Sequence, residues 1–193
     1  MKRLSKTILA AATVSLSFMA PTSFAQDMDA ALQALDDALP GELIHNPFDL
    51  QWEASGNDIN LKVVDAAALP SGQAIDARVK KRQDKAWEST LLVPISAEVE
   101  KGDSIQAYFW IRTEKPAAGA DTAKVVFFLG RNEEPYDNII SEEIFPDSEW
   151  KLMNLKGLAS ANYRDGTLKV EYQLGKAAQR VQVGPVYVSK LDE

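Results

Sequence analysis

The stretch IQAYFWIRTE, residues 105–114, decides the fold class. Ile105, Ala107, Phe109 and Ile111 alternate with Gln106, Tyr108, Trp110 and Arg112. Alternation with a period of two places successive side chains on opposite faces of a β-strand. One face is apolar, as a core requires. The other carries an amide, a phenol, an indole and a guanidinium, a set better suited to a ligand or a covering segment than to bulk water.

Working outward, the same period recurs. Strands are predicted over 42–45, 51–54, 59–65, 73–80, 87–94, 104–113, 123–130, 139–145, 149–156, 167–174 and 180–190. SGND, PSG, KGD, PAAGAD, NEEPYD, PDSE and RDGT separate them as turn signals. Short strands at this density with no recurring helix imply an all-β chain, an antiparallel β-sandwich. The loop 114–123 is no domain boundary, because strands continue on both sides.

The N-terminus reads differently. MKRLSK is a basic region, TILAAATVSLSFMA an apolar one, and SFA before Gln26 puts Ser23 and Ala25 where a signal peptidase reads. Residues 1–25 are expected to be a Sec-type signal peptide, with the protein exported to the periplasm or the medium. Met28, Leu32, Leu35 and Leu39 at helical spacing, stopped by Pro40–Gly41, predict a short helix within a leader at 26–41. The β-module then spans 42–193. No later apolar run reaches transmembrane length, so no membrane insertion is expected.

The net charge of −7 argues against nucleic acid as a partner. The chain has no Cys, which removes disulfides, thiol catalysis and thiolate metal sites. His45 is the one histidine, and no GxSxG or HExxH pattern accompanies it. Glu133, Glu134, Asp137, Glu142 and Glu143 cluster in sequence, but charge runs in an acidic chain read as solvated loops. No enzymatic activity is expected; a weaker reading is a small glycoside-active enzyme, which would need two carboxylates at catalytic separation across one cleft.

Trp87 opening a strand that ends in VPI, then EVEKGDSIQAYFWIR, a loop with PY, DSEWKLMNL, YRDGTLKVEYQLG and VQVGPVYV form an ordered series. This series resembles the carbohydrate-binding modules of the family 4/9/22 type, galactose-binding-like jelly rolls found beside xylanases and glucanases. The resemblance covers about residues 42–190. It implies a jelly-roll sandwich that binds a polysaccharide or oligosaccharide chain without acting on it. Many such modules carry an Asp in the last strand that helps hold a structural calcium. Here Gly184-Pro185-Val186 stands in that place, and no metal or other cofactor is expected.

Sugars pack their C–H faces on flat rings and offer their hydroxyls to planar donors and acceptors. If the strands 87–94, 104–113 and 168–174 are neighbours, one face gathers Glu88, Gln106, Tyr108, Trp110, Arg112, Glu171 and Gln173. Trp87, where similar modules place a sugar-stacking ring, and Tyr136 in the loop EPYDN are rim candidates. Trp52 and Trp150 read as core or edge residues, and one of Phe127 and Phe128 as core. A different class of reading is an envelope structural domain that keeps the jelly roll without sugar binding and docks a protein partner through the N-terminal helix.

Overall fold

A computed structural model of the chain describes residues 38–49 and 52–191. Residues 1–25, expected to be a signal peptide, and residues 26–37 of the expected helical leader lie outside the described residues.

Among the described residues eleven strands follow one another: β1 (Glu42–Leu43), β2 (Glu53–Gly56), β3 (Ile59–Asp65), β4 (Gln73–Val79), β5 (Ser89–Ile95), β6 (Ser104–Lys115), β7 (Val125–Arg131), β8 (Asn138–Ile144), β9 (Lys151–Leu158), β10 (Leu168–Gln173) and β11 (Arg180–Leu191). Each falls on a stretch where alternation predicts one. Boundaries shift by one or two residues in several strands, and two of the shifts move an aromatic out of its strand. Trp87 and Glu88 lie in a 3₁₀ turn, Ala86–Glu88, and β5 begins only at Ser89. Trp150 precedes β9 rather than opening it.

The strands form two antiparallel sheets. One runs β3-β4-β11-β6-β9, with β1 also paired to β11; the other runs β2-β5-β10-β7-β8. The sheets face each other as a β-sandwich, and the inward residues fill the space between them. From the first sheet come Ile75, Ala77, Ile105, Ala107, Phe109, Ile111, Val181 and Val183; from the second, Leu91, Val93, Phe127, Leu129, Val170 and Tyr172. Phe109 and Phe127 stack across the sandwich with centroids 4.6 Å apart, and Tyr172 meets both edge-on at 5.3 and 5.5 Å. Buried side chains of this size each stabilise by about 1.5–3 kcal/mol. Trp52 stacks on Tyr172 at 6.3 Å, a core role.

Gly184 and Pro185 sit where the β11–β6 register shifts, between Val183 and Val186. Pro inside a central strand is tolerated at such a bulge. A Cβ on Gly184 would stand 2.6 Å from Leu69 Cδ1 and 2.9 Å from Trp110 Cβ. The glycine therefore makes room for the 66–72 loop to lie on Trp110.

Candidate functional site

The topology separates the residues that alternation gathers. β5 and β10 are hydrogen-bonded neighbours, but β6 belongs to the other sheet. Gln106, Tyr108, Trp110 and Arg112 thus project from the opposite outer surface of the sandwich and cannot share a face with Glu171 and Gln173. The period of two fixes which side of a strand a residue takes but not which sheet the strand joins.

On that opposite surface the four are engaged locally. Trp110 and Trp150 pack against the cluster of Ala66, Leu69 and Ala74. The Arg112 guanidinium lies 5.0 Å over the Trp150 ring, and its Nε donates to Gln182 Oε1 at 2.9 Å. Gln106 is buried and donates to Asn154 Oδ1 at 2.6 Å. Tyr108 is half-buried, with Tyr187 and Asn154 beside it on the flanking strands.

The outward face of the β10 sheet is built differently. Along β10, Lys169, Glu171 and Gln173 point away from the core. Gln173 stands between Thr90 and Val126, Glu171 between Leu92 and Phe128, and Lys169 between Pro94 and Gly130. Phe128 faces Ser141 across the β7–β8 pair. Together with Trp87 and Tyr136, these strands enclose a groove of about 660 Å³ lined by Trp87, Phe128, Tyr136, Ser141, Lys169, Glu171 and Gln173. Glu171 and Gln173 are only 8% and 9% exposed although they face outward, so the surface is recessed rather than flat.

The two rim rings are open to solvent, Trp87 at 59% and Tyr136 at 56%. Neither is core. Both are held by their backbones. The turn under Trp87 is tied at each side: Glu88 accepts a hydrogen bond from the Lys85 N–H at 2.8 Å, and the Gly175 N–H donates to the Ala86 carbonyl at 2.9 Å. Glu88 is therefore a cap of that turn rather than part of the groove wall. The Lys85 ammonium stands 5.7 Å over the Trp87 ring.

Tyr136 has φ 54°, a left-handed backbone uncommon for a bulky residue. Its N–H donates to the Glu133 carbonyl at 2.8 Å. The loop that carries it is clasped by Arg131, whose Nε donates to Asp137 Oδ1 at 2.9 Å and whose N–H donates to the Asp137 carbonyl at 2.9 Å. A Cβ at Gly130 would meet both the Asp137 carbonyl and the Phe128 ring. This is a close approach that only glycine permits.

The floor is a short polar chain. Lys169 Nζ pairs with Glu171 Oε1 at 2.6 Å, and Gln173 Nε2 donates to Glu171 Oε2 at 2.9 Å. Glu171 is the one carboxylate among the described residues that line the groove. Glu133, Asp137 and Glu143, clustered in sequence, pair instead with Arg164, Arg131 and Lys124. Among the described residues no three His, Asp or Glu side chains gather as a metal site would require. His45 lies outside the groove's lining, beside β1.

Trp87, Tyr136, Glu171 and Gln173 are legible in the sequence as candidates, and the fold brings them together. Phe128, Ser141 and Lys169 join them without having stood out. The signal for Lys169 is present, since it shares the alternating face of Glu171 and Gln173. Phe128 is the partner of core Phe127 on the outward side.

No protein-family model matches the sequence, and no curated protein matches it. Solved structures do. A CBM4 module is similar over 72% of this chain and 94% of its own, with 18% identity and a TM-score of 0.56. The CBM22-1 xylan-binding domain of Paenibacillus barcinonensis Xyn10C is similar over 80% and 97%, with 17% identity and a TM-score of 0.54. The second N-terminal cellulose-binding domain of Cellulomonas fimi β-1,4-glucanase C is similar over 80% and 94%, with 17% identity and a TM-score of 0.55. The chain has the antiparallel β-sandwich fold of these carbohydrate-binding modules.

Proposed function

We propose that the protein binds a polysaccharide or oligosaccharide chain in the groove of the β10 sheet and does not alter it chemically. The observation that carries this reading is the pair of solvent-open rings, Trp87 and Tyr136, flanking a recessed floor of Lys169, Glu171 and Gln173. Rings of this kind stack on sugar C–H faces, and the floor offers hydroxyls both donors and acceptors. Glycoside hydrolysis uses two carboxylates about the scissile bond. The groove presents one, and that one is already paired with Lys169. The fold it shares with a xylan-binding and a cellulose-binding domain supports the same direction. The basic, apolar and small-residue layout of residues 1–25 supports export, which would place the groove where such chains are found.

Affinity electrophoresis against xylan, β-glucan, mannan and pectin tests the reading. Retardation by at least one neutral glycan, without release of reducing ends, is the expected result. No retardation across the panel would reject it.

A further inference from the structure

On the far side of the sandwich, the outward face of the β6 sheet carries a row of cations that sugar binding in the groove does not use. Arg78 on β4 is the cross-strand neighbour of Arg180 on β11, and Arg180 is in turn the neighbour of Lys115 on β6. Arg78, Lys80, Lys115 and Arg180 line one depression of about 340 Å³. A second one, of about 720 Å³, shares Arg78 and Arg180 and adds Lys62 on β3.

The acids nearby are already engaged. Asp76 accepts from Arg180 Nε at 2.8 Å, and Glu114 lies 3.4 Å from Arg112 and 3.9 Å from Arg180. Arg78, Lys115 and Lys62 have no ion-pair partner among the described residues. Like charges directly across a strand pair destabilise a sheet. A chain of net charge −7 nevertheless concentrates them here. Asp76 neutralises Arg180, but Arg78 and Lys115 on either side of it are left uncompensated, and a local conflict of this kind marks a site whose partner supplies the missing charge.

We propose that this row is a second binding site, for a uronic-acid-bearing polysaccharide lying across the strands. Neighbouring strands stand ~4.8 Å apart. Arg78 and Lys115, which have no ion-pair partner, stand two strands apart, ~9.6 Å, about the length of two sugars in an extended polyuronate, whose carboxylates on one side recur every second residue. The planar fork of Arg pairs with carboxylate through two parallel hydrogen bonds. The site is on the opposite surface from the Trp87 groove and does not depend on it.

The test is affinity electrophoresis at low ionic strength in gels containing polygalacturonate, fully methyl-esterified pectin or xylan, with flotation on anionic phospholipid vesicles in parallel. The unmodified protein should be retarded by polygalacturonate but not by its ester, and the effect should fade as salt rises past about 0.15 M. R78E/K115E should weaken that retardation by about tenfold or more. Its melting temperature should hold, because the new carboxylate at the first position meets Arg180. R78Q/K115Q, which removes charge without reversing it, should behave likewise in a milder form. W87A should keep polygalacturonate binding while losing any neutral glycan. Four results would overturn the site: no retardation of the unmodified protein, equal binding by both charge variants, loss of polygalacturonate binding in W87A, or flotation on vesicles without retardation by polygalacturonate.

Discussion

Lys169 Nζ stands 2.6 Å from Glu171 Oε1 on the groove floor, with side chains only 14% and 10% exposed. Two charges so far out of water depend on each other. Removing one leaves the other desolvated and unpaired, while replacing both with apolar groups of similar volume is tolerated. E171L is expected to lower stability by about 1–3 kcal/mol. K169M/E171L should recover most of that loss. Both variants should bind glycan more weakly, because the floor has lost its carboxylate acceptor. Urea unfolding together with glycan titration reads both effects. A double variant no more stable than E171L would show that the pair is not the source of the cost.

The tryptophans divide by location. W87A and Y136A remove rings that are more than half exposed, so the melting temperature should hold while glycan binding falls by about 1–3 kcal/mol. W110A should do the reverse. Trp110 is packed against the cluster of Ala66, Leu69 and Ala74, so its removal should cost about 2–4 kcal/mol of stability with groove binding intact. Loss of glycan binding in W110A with an unchanged melt would move the site to the β6 sheet.

The strands are legible in the sequence because each inward face needs an unbroken apolar alternation, and Ile105 to Ile111 or Leu168 to Leu174 supply it with few exceptions. Sheet membership is not. It depends on which strands meet by hydrogen bonding over long sequence separation, and β10 with β5, or β11 with β6, leave no mark in local pattern. Alternation therefore merges the two halves of the candidate face although they lie on opposite surfaces. Tyr136 is readable because an aromatic in a turn has no place in an alternating core pattern, whereas Trp87, which by period shares the face of Leu91 and Val93, is readable only from its place in the resembling series. Glu88 misleads for the opposite reason. Its spacing places it on a strand face, whereas its carboxylate closes the turn at Lys85.

Gly184 has a packing role in the β11 bulge. G184A would bring a methyl group to 2.6 Å from Leu69 Cδ1 and 2.9 Å from Trp110 Cβ. Leu69 can swing aside, but Trp110 Cβ is fixed to its strand. Overpacking of this sort costs about 1–3 kcal/mol. The companion L69A should relieve part of the clash, so the double variant should lose less than the two single losses added together. Strict additivity would separate Gly184 from the Leu69 contact.

Export can be checked on protein from its native host. Mass spectrometry of the exported fraction should find the N-terminus at Gln26 or within a few residues of it, as the small residues Ser23 and Ala25 direct. An exported protein that retains Met1 would remove the signal-peptide reading.

His45 gives the fold a pH dependence with a defined direction. Burial pushes its imidazole down from 6.5 to about 4, with the nearby Asp49 carboxylate offsetting only part of that effect. Its Nε2 has no hydrogen-bond partner among the described residues, so nothing compensates the charged form there. Between these two values the unfolded chain holds a proton on His45 and the folded chain does not. Acid therefore favours unfolding. The stability contributed by the neutral ring is fully present above about pH 6.5, declines as pH falls toward 4, and levels off below that. Over the whole window the loss approaches ~3 kcal/mol, because each tenfold difference in proton affinity between the folded and unfolded chain is worth about 1.4 kcal/mol. H45Q cannot titrate in this range and should lose less stability than the unmodified protein between pH 7 and pH 4.5, by about 2–3 kcal/mol. Urea midpoints at pH 7, 5.5 and 4.5 measure the difference. Parallel losses in the two proteins would assign the acid sensitivity to other groups.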